Sequence, residues 1–250
     1  MTPWLIAAPA VAAGLAGVTA YGAVHPRSQL FGHTIFRTGQ PRKLAITFDD
    51  GPNPAITPKL LDLLDRYHAK ATFFLVGKYV RESPALAKET AARGHLLGNH
   101  TDTHPNLFFC GPGETHTELL RCSEAIHTAT WEQPRWFRPP FGFRSPWTIE
   151  IALRLGMPTV MWTLIPGDWR QKPAEWLIDR MKPIATRAQE KSSRAPASGD
   201  VLCLHDGDYA RPNADRSRTL TALEFWLSRW RDLGLEFVTI SQAAGKAVEG

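Results

Sequence analysis

Five short clusters hold the residues of this chain that could do chemistry. Asp49 and Asp50 sit side by side at the end of an apolar run, with Gly51-Pro52 turning the chain behind them. Adjacent acids repel, so the pair stays ionised only beside a cation or a strong donor. The bland alternative is a turn whose Asp caps the next helix, because Asp, Gly and Pro are ordinary turn formers. His100 and His104 frame His-Thr-Asp-Thr-His. Histidines four apart meet on one face of a helical turn, where both imidazoles reach one ion. Two such residues are otherwise solvated loop histidines, so a third ligand is needed, and Asp50 is its natural supplier. A His/His/Asp set leaves one position open, the mark of a catalytic rather than a structural zinc-type site.

The third cluster is Arg138-Pro139-Pro140-Phe141-Gly142. Its guanidinium fork is suited to gripping a carboxylate in two places, the prolines stiffen the backbone, and Gly lets a ligand come close. Pro-rich turns are common, and alone this one says little. Asp168-Trp169 and Leu204-His205-Asp206 complete the set. A histidine at the carboxyl end of a strand, beside an acid, can serve as general acid or base. A lone one is more often a hydrogen-bonded structural residue.

The elements that must position these clusters alternate along the chain. Strands are expected at Lys43 to Phe48, Ala71 to Val76, Trp136 to Arg138, Pro158 to Trp162, Val201 to His205 and Glu236 to Ile240. Helices are expected from Thr57-Pro58 through Tyr67, from Ser83-Pro84 to Arg93, over Thr115 to Thr128, from Ser145-Pro146, over Pro173 to Arg187 with a kink or early end at Pro183, and over Arg218 to Leu233. Gln189 to Gly199 reads as a polar loop. Strand-then-helix units at this spacing imply parallel strands with helical crossovers, as a barrel or an open doubly wound sheet. In both, functional residues gather at the carboxyl ends of strands, which is where the clusters fall.

The chain has 250 residues, 43% of them apolar and 21% charged, enough for one large domain with a real core. That composition excludes wholesale disorder and fibrous repeats. A net charge of +5 with no dense Lys/Arg run gives no nucleic-acid site. Three cysteines form no disulfide framework, and Cys110 with Cys122 is the nearest pair that could bridge. Thr2 through Val24 carries no charge. Its length suits a membrane anchor, with a cleaved signal peptide and a buried Ala-rich helix as alternatives. The division expected is 1–24 as anchor or signal, 25–41 as connector, and 42–250 as the catalytic domain. The nearby cations, Arg27, Arg37, Arg42 and Lys43, all follow the segment, which by the positive-inside rule alone would leave the domain in the cytoplasm.

In this order, TFDDGP, HTDTH, RPPFG, DW and LHD resemble the polysaccharide deacetylase family, carbohydrate esterases with a NodB-type domain. The resemblance spans residues 42 to 241, with Ala71-Thr72-Phe73-Phe74 and Gly98-Asn99-His100-Thr101 in keeping. It implies a distorted (β/α) barrel. It also implies a divalent metal on Asp50, His100 and His104, usually zinc, with Co2+, Ni2+ or Mn2+ as substitutes. Asp49 would be the general base toward the attacking water and Arg138 would orient it. The Phe141 amide would line the oxyanion hole, and Asp168 would hold His205 as general acid. Trp169, Cys203 and Leu204 would meet the substrate.

The reading is a metal-dependent N-deacetylase, active as a monomer on peptidoglycan, a chitin-like oligomer or a related amino-sugar glycan. The alternatives are an O-acetyl xylan esterase and an inactive, membrane-tethered carbohydrate-binding protein. Glycan polymers lie outside the cytoplasmic membrane, so the domain is expected there, exported or anchored. Three departures stand out: Ile165 where the family often has Asp, Cys203 where it has Leu, and Phe141 where Tyr is commoner.

Overall fold

The computed structural model describes residues 4–190 and 199–244, with side chains from Ala13 onward. In chain order the helices are α1 (Trp4–Val24), α2 (Thr57–Arg66), α3 (Gly77–Glu82), α4 (Pro84–Ala92), α5 (Pro112–Thr130), α6 (Thr148–Arg154), α7 (Ala174–Gln189), α8 (Ser217–Asp232) and α9 (Ile240–Ala244). The strands are β1 (Thr34–Ile35), β2 (Lys43–Gly51), β3 (Thr72–Leu75), β4 (Leu96–Asn99), β5 (Thr159–Val160), β6 (Asp200–His205) and β7 (Glu236–Val238).

All named strand pairs are parallel, as the βα alternation requires. Four strands run in the order β4-β3-β2-β6, β7 pairs with the start of β2, and β1 pairs with β5. Single-residue bridges close the circuit: Asn99 to Phe137, Phe137 to Thr159, and Leu164 to Leu202. The barrel is therefore continuous on one side and held by isolated bridges on the other, which is the distortion expected. Trp136 to Arg138 contributes only such a bridge rather than a strand.

Strand parity sorts the core. On β2, Leu44, Ile46 and Phe48 pack outward among Leu60, Leu64, Leu223 and Trp230 of the helices. Ala45 packs inward with Phe74, Val160, Met161, Val201 and Cys203. Thr47 and Asp49 share the parity of Ala45, so Asp49 ends β2 on the inner face.

Several expectations shift. α3 and α9 were not visible as separate helices, and α7 runs through Pro183. Most of the loop expected over 189–199 lies outside the described residues. Cys110 and Cys122 are both buried free thiols, so the bridge does not form; Cys122 Sγ donates instead to the Leu75 carbonyl at 3.2 Å. The 25–41 stretch is not a bare connector, since it contributes β1. Among the described residues no helix is long and apolar enough to cross a membrane.

Candidate active site

Asp49 and Asp50 reach the same cavity because β2 is irregular where they sit. Alternation would send neighbours to opposite faces. The β2–β3 register shifts between Asp49 and Gly51, and Asp50 takes a left-handed φ of 71°. A bulge of this kind re-aims one side chain and is favoured beside active sites. Space for it comes from Gly207, where a Cβ would collide with the Asp50 carbonyl.

His100 follows β4 directly. The segment to His104 is not the helical turn its spacing suggested. It is an irregular loop in which Thr101 and His104 both have positive φ, 67° and 64°. Glu118 of α5 holds the loop by accepting from the Asp102 and Thr103 amides at 2.9 and 2.8 Å and from the Thr103 hydroxyl at 2.8 Å. His100 Nδ1 lies 2.6 Å from the Arg138 carbonyl, so it carries the proton and leaves Nε2 as the lone pair. That Nε2 is 3.5 Å from Asp50 Oδ1, and His104 Nε2 is 3.1 Å from the same oxygen.

These residues fit a divalent ion. The ligand atoms of Asp50, His100 and His104 lie within 4.8 Å of one another, all three side chains are buried, and Asp50 Oδ1 has no hydrogen-bond partner. Burial pushes the Asp50 carboxyl up, but the His100 and His104 imidazoles beside it outweigh this and hold the group well below the usual carboxylate range. Burial likewise pushes His104 down, keeping it the neutral donor a metal requires, against the pull of Asp50. Asp49, Cys203 and His205 form a second cluster of the same size. It suits a cation poorly. Burial and then the Asp49 charge push the Cys203 thiol well above its ordinary value, so it stays protonated and donates to Asp49 Oδ2 at 3.3 Å.

Arg138 is fully buried and spends its donors on one wall. Nη1 donates to Asp49 Oδ1 at 2.8 Å and to Thr47 Oγ1 at 2.6 Å, and Nη2 donates to the Met161 carbonyl at 3.1 Å. The grip on Asp49 is single rather than two-pronged, leaving Oδ2 toward the cavity. Beyond Arg138, Pro140–Gly142 form one 3-10 turn with Phe141 at φ 57°. Gly142 and Phe143 amides close that turn onto the Pro139 and Pro140 carbonyls at 3.0 Å each.

Across the cavity, Asp168 clamps His205 at two points. Oδ1 is 2.8 Å from His205 Nδ1, and Oδ2 accepts from the His205 amide at 2.8 Å and from Thr219 at 3.1 Å. Burial alone would lower the His205 pKa. The Asp168 charge and hydrogen bond overcome it and raise the value to about 9, so the imidazolium is the form present near neutrality.

The cavity between the two sides has a volume of about 480 Å³. Asp49, Asp50, His100, His104 and His205 line it, Trp169 stands at its edge against His205, and Phe141 reaches it too. Cys203 and Leu204 do not. Leu204 has the opposite parity to His205 and packs into the helix-side core. Cys203 lies fully buried beneath Asp49, among the inner barrel residues. Their expected contact with substrate is corrected accordingly. Ile165 does line the cavity, as do Trp162 and Tyr209, which no motif marked. Tyr209 stacks on His104 with ring centroids 4.5 Å apart, held from behind by Tyr79 Oη and Lys78 Nζ on its carbonyl. Its position after Leu-His-Asp was the signal available.

Comparison with known proteins bears on the chain as a whole. Residues 37–160 match the family model described as polysaccharide deacetylase. A chitooligosaccharide deacetylase of Bradyrhizobium sp. (strain ANU 289) is 34% identical over 210 residues, covering 80% of this chain and 90% of that one. A peptidoglycan-N-acetylglucosamine deacetylase of Bacillus cereus is 35% identical over 200 residues, covering 80% and 86%. Among solved structures, a CE4 family pseudoenzyme from Bacillus anthracis has a TM-score of 0.72 at 26% identity, over 84% of this chain and 68% of that one. The Bc1960 peptidoglycan N-acetylglucosamine deacetylase has a TM-score of 0.71 at 26% identity, over 84% and 92%.

Proposed function

Because this chain belongs to the polysaccharide deacetylase family, of the CE4 or NodB type, we propose that it removes N-acetyl groups from peptidoglycan or chitin-like oligomers, with Asp49 as base and His205 as acid. The observation that carries this reading is the opposed setting of the two sides of the cavity. Asp50, His100 and His104 converge on one side, with His104 held below its ordinary value by burial, and on the other His205, raised to about 9, faces Asp168. The raised histidine is the proton donor, which leaves Asp49, held at Oδ1 by Arg138 beside the ligand set, as the base.

Asp50, His100 and His104 would hold a divalent ion, zinc by donor type, which would lower the pKa of the attacking water and polarise the amide carbonyl. The residues of the chain do the rest. Asp49 Oδ2 accepts the proton of the attacking water while Arg138 holds Oδ1 and fixes the carboxylate plane. The Phe141 amide, turned by its left-handed backbone, donates to the oxygen on which negative charge develops. His205 Nε2 gives its proton to the departing sugar amine, and Asp168 stabilises the imidazolium until it does so. Trp169 offers a face to the pyranose.

The test is acetate release from chitin oligomers, peptidoglycan and O-acetyl xylan, with zinc added and with zinc chelated. Zinc-dependent release from the N-acetyl substrates is expected. Turnover of O-acetyl xylan alone would move the protein to the ester class. No turnover of any of these substrates by zinc-loaded protein would contradict the reading and favour the inactive alternative.

We further infer that the domain works outside the cytoplasm, with the uncharged N-terminal segment as an export or anchoring segment that stays attached. The polymers proposed as substrates lie outside the cytoplasmic membrane, and Thr2 through Val24 is uncharged. Cell fractionation with protease added to intact cells checks this: a protected cytoplasmic protein would contradict it.

A further inference from the structure

The turn that carries Phe141 is tethered at both ends by a fully buried arginine, and the two tethers differ in what they hold. Upstream, Arg138 has Asp49 as its counter-charge. Downstream, Arg144 has no carboxylate partner among the described residues. Its Nη2 donates to the carbonyls of Gly22 at 2.9 Å and His25 at 2.8 Å, and its backbone amide donates to Ala23 at 3.0 Å. Nε and Nη1 have no partner. These acceptors lie at the carboxyl end of α1, where a helix leaves carbonyls unpaired and its macrodipole is negative. A helix end has replaced the usual acid. Burial draws the Arg144 pKa down to about 10, which still leaves a cation at neutral pH.

The contact is wider than one side chain. Ala23 and Ser28 are buried, Gly22 lies against Leu30 and Phe31, and Gly32 lies against Ile149 of α6. Ala13 to Ala20, by contrast, are exposed. The boundary between projecting helix and packed domain therefore falls near Tyr21, not at the end of α1. A chain cut at Ala23 would remove the Gly22 and Ala23 carbonyls and leave His25 as the one remaining acceptor of the buried Arg144 charge, a costly arrangement.

We propose that Arg144 is a positioning residue that ties the oxyanion turn to the carboxyl end of α1, so that residues 21–33 work as part of the catalytic domain and not as a detachable leader or linker. The inference rests on the reading of the Phe141 amide as oxyanion donor.

The test compares R144M and R144K in the full chain, loaded with zinc, by steady-state kinetics on an N-acetylglucosamine oligomer and by hydrogen exchange. R144M should lose roughly 10-fold to 100-fold in kcat, the scale of a donor misplaced by about an ångström. Its KM should stay within about twofold and its zinc content should be unchanged, while residues 21–33 exchange faster. R144K keeps a cation with several donors and should recover much of the lost kcat. Unchanged kcat in R144M with faster exchange at 21–33 overturns the tie to catalysis. Equal losses of kcat and zinc in both variants overturn it too, in favour of general damage. If R144M does not fold, the wild-type chain still decides. Amides of residues 21–33 and 143–148 should open together as denaturant rises, and separate opening refutes the latch. That exchange result stands whether or not the wild type turns over an acetylated glycan, so failure of the proposed function would be seen separately.

Discussion

On one side of Asp49 two histidines face Asp50, and on the other a single histidine faces Asp168. Both groups are buried, and burial disfavours a charged imidazole in each. The outcomes are opposite. His104 stays below its ordinary value, because burial outweighs the pull of Asp50 and the neighbouring His100 adds to the lowering. His205 rises to about 9, because Asp168 is dedicated to it through two bonds and a charge. What separates a metal ligand from a proton donor here is the carboxylate partner: Asp168 overcomes burial at His205, and Asp50 does not overcome it at His104.

The sharpest way to break the comparison is to remove one member from each side. Asp50→Ala or His100→Ala should abolish zinc binding and take activity to background, with metal analysis as the readout. Asp49→Asn should lose about 1,000-fold or more in kcat, within the range for a positioned base, yet still bind zinc. His205→Ala should lose about 100-fold or more, again with zinc retained. A loss of zinc in the His205 variant would mean the two sides are one site.

Asp168→Asn tests the dedicated partner through pH. His205 must be protonated to act, so activity is present below its raised pKa and is lost as pH rises through about 9. Without the Asp168 charge, burial lowers the value against only the lesser pull of the Asp50 and Asp49 charges. The alkaline limb of kcat/KM should then move down by about two units or more, toward the ordinary histidine value of about 6.5. An unmoved limb would assign it to another group.

Much of this arrangement was legible in the sequence, and what was missed has physical causes. The alternation of KLAITF, ATFFLV and VLCLH with helical stretches pointed to parallel strands with helical crossovers, because strand parity and helix period are local signals, and the family resemblance chose the barrel over an open sheet. The same parity should have excluded Leu204 from the cavity, one residue before His205. Asp50 obeys no parity rule: only the bulge brings it beside Asp49, and a bulge depends on the neighbouring strand. Glu118 and Tyr209 went unmarked because each works through a contact distant in sequence, with Thr103 and His104 respectively. The docking of residues 21–33 was hidden for the same reason, since Arg144 lies more than a hundred residues from its acceptors. A run without charges looks the same whether its end is free or latched.

The smallest effect concerns Asp206, which lies between the two sides and takes no part in either. Its carboxyl is fully buried, accepts from Thr57 Oγ1, and has Oδ1 without a partner. Gly51 lies so close that any side chain there would strike it. Burial raises its pKa to about 7, with the nearby Asp50 and Asp49 charges adding to the rise against the Thr57 bond. In the unfolded chain the group titrates near 3.9. The native state therefore binds the extra proton between those values, and its contribution to stability is full below about pH 4 and lost as pH rises to about 7. Asp206→Asn removes that dependence while keeping an acceptor for Thr57. Each pKa unit is worth about 1.4 kcal/mol. The stability of Asp206→Asn relative to wild type should thus improve by about 2 to 3 kcal/mol between pH 5 and pH 7 and then level off. Urea unfolding of both chains across that range, with the metal chelated so that no added cation perturbs the acids, gives the difference directly. A flat difference would mean that Asp206 is ionised in the folded protein, and that the floor between the two sides carries a third charge.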